Sequence, residues 1–324
     1  MRNLKRILTG VALVVQGMMF SPAFAAYPEK PVRILVGFPA GQATDMVARL
    51  VAEKLSTELG QPFVVENRPG QGGSLALAQL AKASPDGYSL MLSATASLVT
   101  NPHLYKDVGY DTLRDFTPIG TLADLPLVMV AYPGAPFDTA EQMIAHARAN
   151  PGKLNFSSSG NGTLSHLAME LIRQEQSIDL THIPYSGSPR AMVDLAAGNV
   201  SVGLDTVAVT KPLVEAGRLK LLAVAMPQRL DVFPDAPTLS EGGVSKVVAS
   251  AWLGMVFPKG APAEVVETLN AALQKALADP AVKESLAAIG ALTRPSASGE
   301  FDTLLKEEYE RWGEVVRASG ARVD

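Results

Sequence analysis

The chain reads as an α/β protein of two lobes, and three observations lead there. Short β-rich runs alternate with longer helical runs along most of its length, the mark of helices layered on mainly parallel sheets. Its 324 residues exceed what one typical core holds, so two domains are expected. A strand-like run near the start turns through small residues directly into an amphipathic helix, and the arrangement recurs further along.

The first residues bear on location. Arg2, Lys5 and Arg6 precede an apolar stretch over 7–20 and the small-x-small run Ala23-Phe24-Ala25, which together read as a signal peptide over 1–25. The apolar stretch falls short of the roughly 20 residues that a membrane span needs. There is no Cys, hence no disulfide and no thiol near the cleavage site to carry a lipid. An exported binding protein without a lipid is kept in place by an outer membrane, so the periplasm is the expected compartment. The full chain has 28 Lys and Arg against 32 Asp and Glu; loss of the three leader bases leaves 25 against 32, a net charge of −7. That balance argues against nucleic acid and anionic lipid surfaces as partners, while a small anionic ligand remains compatible with a local site.

In the first lobe, strands are expected over 32–37, 63–66 and 89–93, with helices over 44–59 and 74–83 between them. The first helix is well specified. Met46, Val47, Leu50, Val51, Ala52 and Leu55 fall at helical spacing, Asp45 lies in the first turn and Gly60 follows the end. The loop Asn67-Arg68-Pro69-Gly70-Gln71-Gly72-Gly73 is rich in turn residues and carries neither a G-x-G-x-x-G nor a Walker Lys-Ser/Thr signature, so it reads as a strand-to-helix connection.

The second series begins near Leu125. Strands are expected over 127–132, 154–157, 180–184, 200–204 and 219–225, and helices over 140–149, 164–174, 189–197 and 207–216. Asp138 and Glu141 suit a cap at the first of these helices. A strand over 251–257 is followed by helices over 263–277, 281–289 and 300–319. In the last, Phe301, Leu304, Leu305, Tyr309, Trp312 and Val316 form an apolar stripe expected to pack on the first lobe. A chain that leaves one lobe, builds another and returns has two crossings, expected near 124–130 and 248–254. The lobes are then 26–124 with 254–324, and 125–253.

The chemistry concentrates in two loops. Phe38-Pro39-Ala40-Gly41-Gln42-Ala43-Thr44-Asp45 and Ser157-Ser158-Ser159-Gly160-Asn161-Gly162-Thr163-Leu164-Ser165-His166 both lead into helix starts, where unpaired backbone N–H groups favour an anion. Neither holds Lys or Arg, so an anion shared by them would be held by peptide dipoles and hydroxyls. That is the logic of a receptor, with no metal or organic cofactor implied.

From Tyr27 onward the chain also resembles the Bug-type receptors of tripartite tricarboxylate transporters. The phrases are Tyr27-Pro28-Glu29-Lys30-Pro31, the 38–45 loop, Val65-Glu66-Asn67-Arg68-Pro69-Gly70, Pro85-Asp86-Gly87-Tyr88, Asn101-Pro102-His103-Leu104-Tyr105, Pro151-Gly152-Lys153-Leu154, the 157–166 loop, His182-Ile183-Pro184-Tyr185, Pro234-Asp235-Ala236-Pro237-Thr238 and Trp252-Leu253-Gly254. The resemblance implies a hinged, two-lobed periplasmic binding protein fold, type II-like, with two mixed, mainly parallel sheets and a small carboxylate in the cleft between them. It implies delivery to integral membrane subunits, and a monomer. By position it points to Ala40, Gly41 and Asp45, to Ser159, Gly162 and Thr163, and to Asp205 for the distal part of the ligand. Phe38, Gln42, Thr44, Gly160, His166 and Tyr185 complete the expected ligand-binding set. Gln42 stands where the family usually has a second glycine. If that position needs a positive φ, Gln is strained there, and its amide narrows the pocket or favours a ligand with an extra hydroxyl or amide.

Plainer roles exist for the same residues. Asp45 suits the positive end of its helix, Ser159 and Thr163 suit caps, His166 suits a structural place at a helix start, and Tyr185 suits a core edge. Two other functions use the same features. A ligand-sensing receptor for a two-component system would share the whole cleft. A serine hydrolase built on Ser165 and His166 lacks G-x-S-x-G, and adjacent helical side chains diverge.

Overall fold

The computed structural model describes residues 27–319, so the leader read over 1–25 lies outside the described residues. The first stretch runs β1 (Val32–Val36), α1 (Ala43–Leu59), β2 (Phe63–Asn67), a tight turn Gln71–Gly73, α2 (Ser74–Leu80), β3 (Ser89–Ala94), a wide helical turn Ala96–Thr100, α3 (Asn101–Leu104) and the long β4 (Phe116–Ala131). Then come α4 (Ala140–Ala149), β5 (Leu154–Ser158), α5 (Leu164–Glu175), β6 (Leu180–Pro184), α6 (Ser188–Ala196), β7 (Val202–Thr206), α7 (Val207–Glu215) and β8 (Lys220–Val224). The chain returns through β9 (Ser250–Pro258) to α8 (Ala263–Ala278), α9 (Pro280–Ala288), β10 (Leu292–Thr293) and α10 (Ser298–Ser319).

The strands form one curled mixed sheet flanked by helices, in the order β2-β1-β3-β9-β4-β7-β5-β6, with β10 and β8 also on β4. Within it β2-β1-β3 and β7-β5-β6 are parallel, while β4 and β9 are antiparallel to their neighbours. Strands such as β1, with Val32, Ile34, Leu35 and Val36 all buried, are covered on both faces, as parallel strands with helical crossovers are. The two sheets expected from sequence are the two arms of this path, and β4 belongs to both. It pairs with β9 as far as Pro126 opposite Ser250, then changes partner to β7 with Leu127 opposite Thr206.

The first half of β4 was absent from the sequence reading, which began a strand only at 127. Pro118, Gly120 and Pro126 interrupt the β pattern there, and the structure absorbs two of them with a register shift between Pro118 and Gly120. The strand expected over 200–204 runs instead Val202–Thr206, which puts Asp205 inside its C-terminal end. The apolar stripe of α10 packs as expected: Phe301, Leu305, Trp312 and Val316 are buried, and the helix lies against β4 and the turn Ala96–Thr100.

One close approach ties the site's first loop to its neighbour. A Cβ on Gly37, just after β1, would lie 2.5 Å from Gly73 Cα and 2.9 Å from Gly73 O, and backbone on both sides cannot swing aside. Gly37→Ala is therefore expected to destabilise the protein by about 1–3 kcal/mol, read from the urea midpoint. An unchanged midpoint would show that the two loops are free to part.

Candidate functional site

The two loops singled out in the sequence come together. Phe38, Gln42, Ala43 and Thr44 from the β1–α1 connection and Ser159, Thr163, Leu164 and Ser165 from the β5–α5 connection line one cavity of about 40 Å³. Ala94 and Ala96, Leu125 and Leu127, Asp205 and Thr206, and Ala251 close it. None of these residues is Lys or Arg. The space holds about three waters.

Helix starts surround it. α1 and α5 begin there with Gln42 and Thr163 as N-caps, and α7 begins there with Thr206. All three caps are extended and make no side-chain capping bond, so first-turn N–H groups stay available to a guest. The sequence reading counted two such starts and missed the third. It also missed Ser188, the first residue of α6, whose hydroxyl donates to Asp205 Oδ1 at 2.8 Å.

The β1–α1 loop is held from behind by Asp45. Its Oδ2 accepts from Gly41 N–H at 2.9 Å and Arg49 Nε at 3.0 Å, and its Oδ1 from Asn67 Nδ2 at 2.9 Å. Burial pushes its pKa up, but the bonds from Arg49, Gly41 and Asn67 outweigh that and hold it below the usual carboxylate range. With both oxygens engaged and no part in lining the cavity, Asp45 shapes the loop. Gly41 has φ +80°, the left-handed conformation the turn requires, whereas Gln42 is extended at φ −80°. The strain considered for Gln42 is therefore absent. Its amide oxygen instead accepts from the Ser188 N–H at 3.3 Å, a bond from the first loop to α6.

The second loop is organised by Ser165. Its hydroxyl accepts from Ser159 N–H at 3.0 Å and lies 3.0 Å from both Ser159 Oγ and Thr163 Oγ1, while Thr163 Oγ1 donates to Gly160 O at 2.6 Å. His166 props the loop from outside the cavity, its Nδ1 accepting from Gly162 N–H at 3.2 Å. Its ring stacks on His182 with centroids 4.0 Å apart, and Phe156 stacks on the far side of His182 at 4.7 Å. Burial lowers the pKa of both imidazoles, that of His182 to about 4, so the stack is neutral at physiological pH. With Nδ1 of His166 engaged by Gly162, no base is bonded to Ser165, and the hydrolase arrangement is not formed.

Gly160 and Tyr185 line a second, wider hollow of about 520 Å³ that shares Phe38 and Ser159 with the first. The Tyr185 hydroxyl donates to Asp194 Oδ2 at 2.8 Å. Ala40, Gly41, Gly162 and His166, though in the expected set, lie in the loops without lining either of these two spaces. Across the hollow, Tyr105 donates its hydroxyl to Asn161 O at 3.1 Å, and a Cβ on Gly187 would meet Pro39 Cγ at 2.6 Å. The two sides therefore touch. Among the described residues no cluster of three metal-ligating side chains occurs, and no helix is long and apolar enough to cross a membrane.

Comparison with known proteins gives the family. Residues 47–321 match the family model described as tripartite tricarboxylate transporter family receptor. Protein BugT of Bordetella pertussis is 34% identical over 324 residues, covering 99% of each chain. Among solved structures, Rpa4515 of R. palustris with adipate is 32% identical with a TM-score of 0.89, covering 92% of this chain and all of that one. MatC from Rhodopseudomonas palustris with bound malate is also 32% identical, with a TM-score of 0.84 over 90% of this chain and all of that one. The chain thus belongs to the receptor family of the tripartite tricarboxylate transporters, which are periplasmic solute-binding proteins and not enzymes.

Proposed function

We propose that this protein captures a small carboxylate in the periplasm and delivers it to the membrane subunits of a tripartite tricarboxylate transporter. The observation that carries the reading is the convergence of the α1, α5 and α7 starts on one cavity that no Lys or Arg lines. Such a site holds a carboxylate by peptide N–H groups and hydroxyls. The relatives that hold adipate and malate support the same chemistry.

The two sides touch across the site through Gln42 and Ser188 and through Tyr105 and Asn161, so the ligand enters an opened form and the closed form wraps it. The place to bend is where β4 changes partner between Pro126 and Leu127, alongside Ala249 and Ser250. Residues 26–124 with 254–324 and residues 125–253 then move as two lobes of one monomer, after removal of the leader over 1–25. The bonds Gln42 to Ser188 and Tyr105 to Asn161 would be made on closure.

A thermal-shift screen of two- to six-carbon carboxylates tests this. At least one acid is expected to raise the melting point in a saturable way, since ligand at about 100 times its Kd adds about 2.7 kcal/mol to the native state. A flat response to every carboxylate would refute the reading. Thr163→Val removes the hydroxyl that fixes the loop through Gly160 and Ser165, and is expected to weaken binding of the best acid by about 0.5–3 kcal/mol in calorimetry. An unaltered Kd would take Thr163 out of the site.

A further inference from the structure

Asp205 is the one carboxylate lining a cavity whose other walls are apolar side chains, hydroxyls, one amide and helix starts. Its Oδ1 accepts from Ser188 Oγ at 2.8 Å and from Thr206 N–H at 2.7 Å. Its Oδ2 is buried without a hydrogen-bond partner, and the residue lines the cavity. Burial raises the pKa of the carboxyl to about 6, so above neutrality the group is an anion with one oxygen that no protein donor meets. A buried carboxylate oxygen left without a donor is unfavourable, and the cavity walls include no Lys or Arg to supply one. A second ligand carboxylate placed there would add repulsion to the deficit.

Ser188 connects this oxygen pair to the opposite side of the cleft. Its N–H donates to Gln42 Oε1 while its hydroxyl donates to Asp205, so the contact between the two sides and the position of Asp205 share one residue. The acid-binding N–H groups of α1 and α5 and the bare oxygen of Asp205 face the same small space. A guest that fits both needs an acceptor at one point and a donor at another.

We propose that the ligand is a carboxylate bearing a hydroxyl or ammonium group, which donates to Asp205 Oδ2 while the acid group sits on the helix starts. The proposal rests on the carboxylate reading of the site and narrows it to hydroxy- and amino-acids. Asp205 acts as the selecting residue, because a plain acid of equal length leaves its oxygen bare in the closed form. Both hydroxyl and ammonium satisfy the oxygen; only ammonium also balances its charge.

Matched pairs titrated by calorimetry at about pH 8 provide the test. The probes are malate and aspartate against succinate, lactate and alanine against propionate, and 2-hydroxyglutarate and glutamate against glutarate. In at least one set the donor-bearing acid is expected to bind about tenfold or more tightly than the plain acid. Asp205→Asn is expected to shrink that ratio to about twofold or less, because an amide nitrogen facing the ligand donor offers no acceptor. The hydroxy and amino members of the responding set tell which donor is preferred. Plain acids that match or exceed their partners in wild type would overturn the proposal while leaving the carboxylate reading intact, and so would a ratio unmoved in Asp205→Asn. Absence of binding by every acid in the panel would overturn the proposal, and a flat response across the full two- to six-carbon screen as well would overturn both.

Discussion

Asp205→Asn is expected to stabilise the ligand-free protein at about pH 8 by about 3 kcal/mol, the free-energy equivalent of a two-unit pKa displacement. Burial lifts the carboxyl from 3.8 to about 6 in the folded state, against the weaker pull of bonds from Ser188 and Thr206. A carboxyl raised in this way favours folding below its ordinary pKa, and that contribution is lost as pH rises through about 6. The gain from asparagine should therefore be full at about pH 8 and fall to about 0.5 kcal/mol at about pH 4. Urea unfolding at both values measures it. Equal stabilities at about pH 8, or the same gain at both pH values, would show that the buried charge is not a burden. That cost is one that a ligand donor placed at Asp205 Oδ2 would offset.

Phe301→Ala is expected to destabilise the protein by about 3–5 kcal/mol, the range for emptying a well-packed aromatic site. The ring is fully buried, meets Trp252 edge-on at 5.6 Å between centroids, and fills the space that a Cβ on Gly254 would otherwise occupy. Its loss leaves a void between α10 and β9 that Gly254, with no side chain, cannot fill. The urea midpoint should fall at every pH, because no titratable group is involved. Saturating ligand should still bind one to one, since Phe301 lines no part of the cavity. A loss below about 1 kcal/mol would mean that the helix does not pack on β9 as described.

Much of the site was legible in the sequence. The loops 38–45 and 157–166 announce themselves because a strand, a run of small residues and an amphipathic helix in succession specify a strand-to-helix turn locally. The roles inside them needed three dimensions. Asp45 could be a ligand contact or a brace until Asn67, brought in by the parallel pairing of β1 and β2, was seen to donate to it. Ser165 drew notice only as a nucleophile, whereas its place is to hold Ser159 and Thr163. Ser188 and Thr206 carry no local signal of their own: the pairing of β7 with β5 and with β4 brings Thr206 to the cavity, and Ser188, at the start of α6, reaches it through its bonds to Gln42 and Asp205. The first half of β4 was hidden by Pro118, Gly120 and Pro126, which propensity reads as turns and tertiary pairing overrides.

The most direct test of the account is a crystal structure of the protein with the carboxylate that raises its melting point most. The account predicts an acid group whose oxygens lie about 2.7–3.2 Å from backbone N–H groups in the first turns of α1 and α5, with no Lys or Arg in contact. An acid bound outside that cavity, or one held there by a basic side chain, would contradict it.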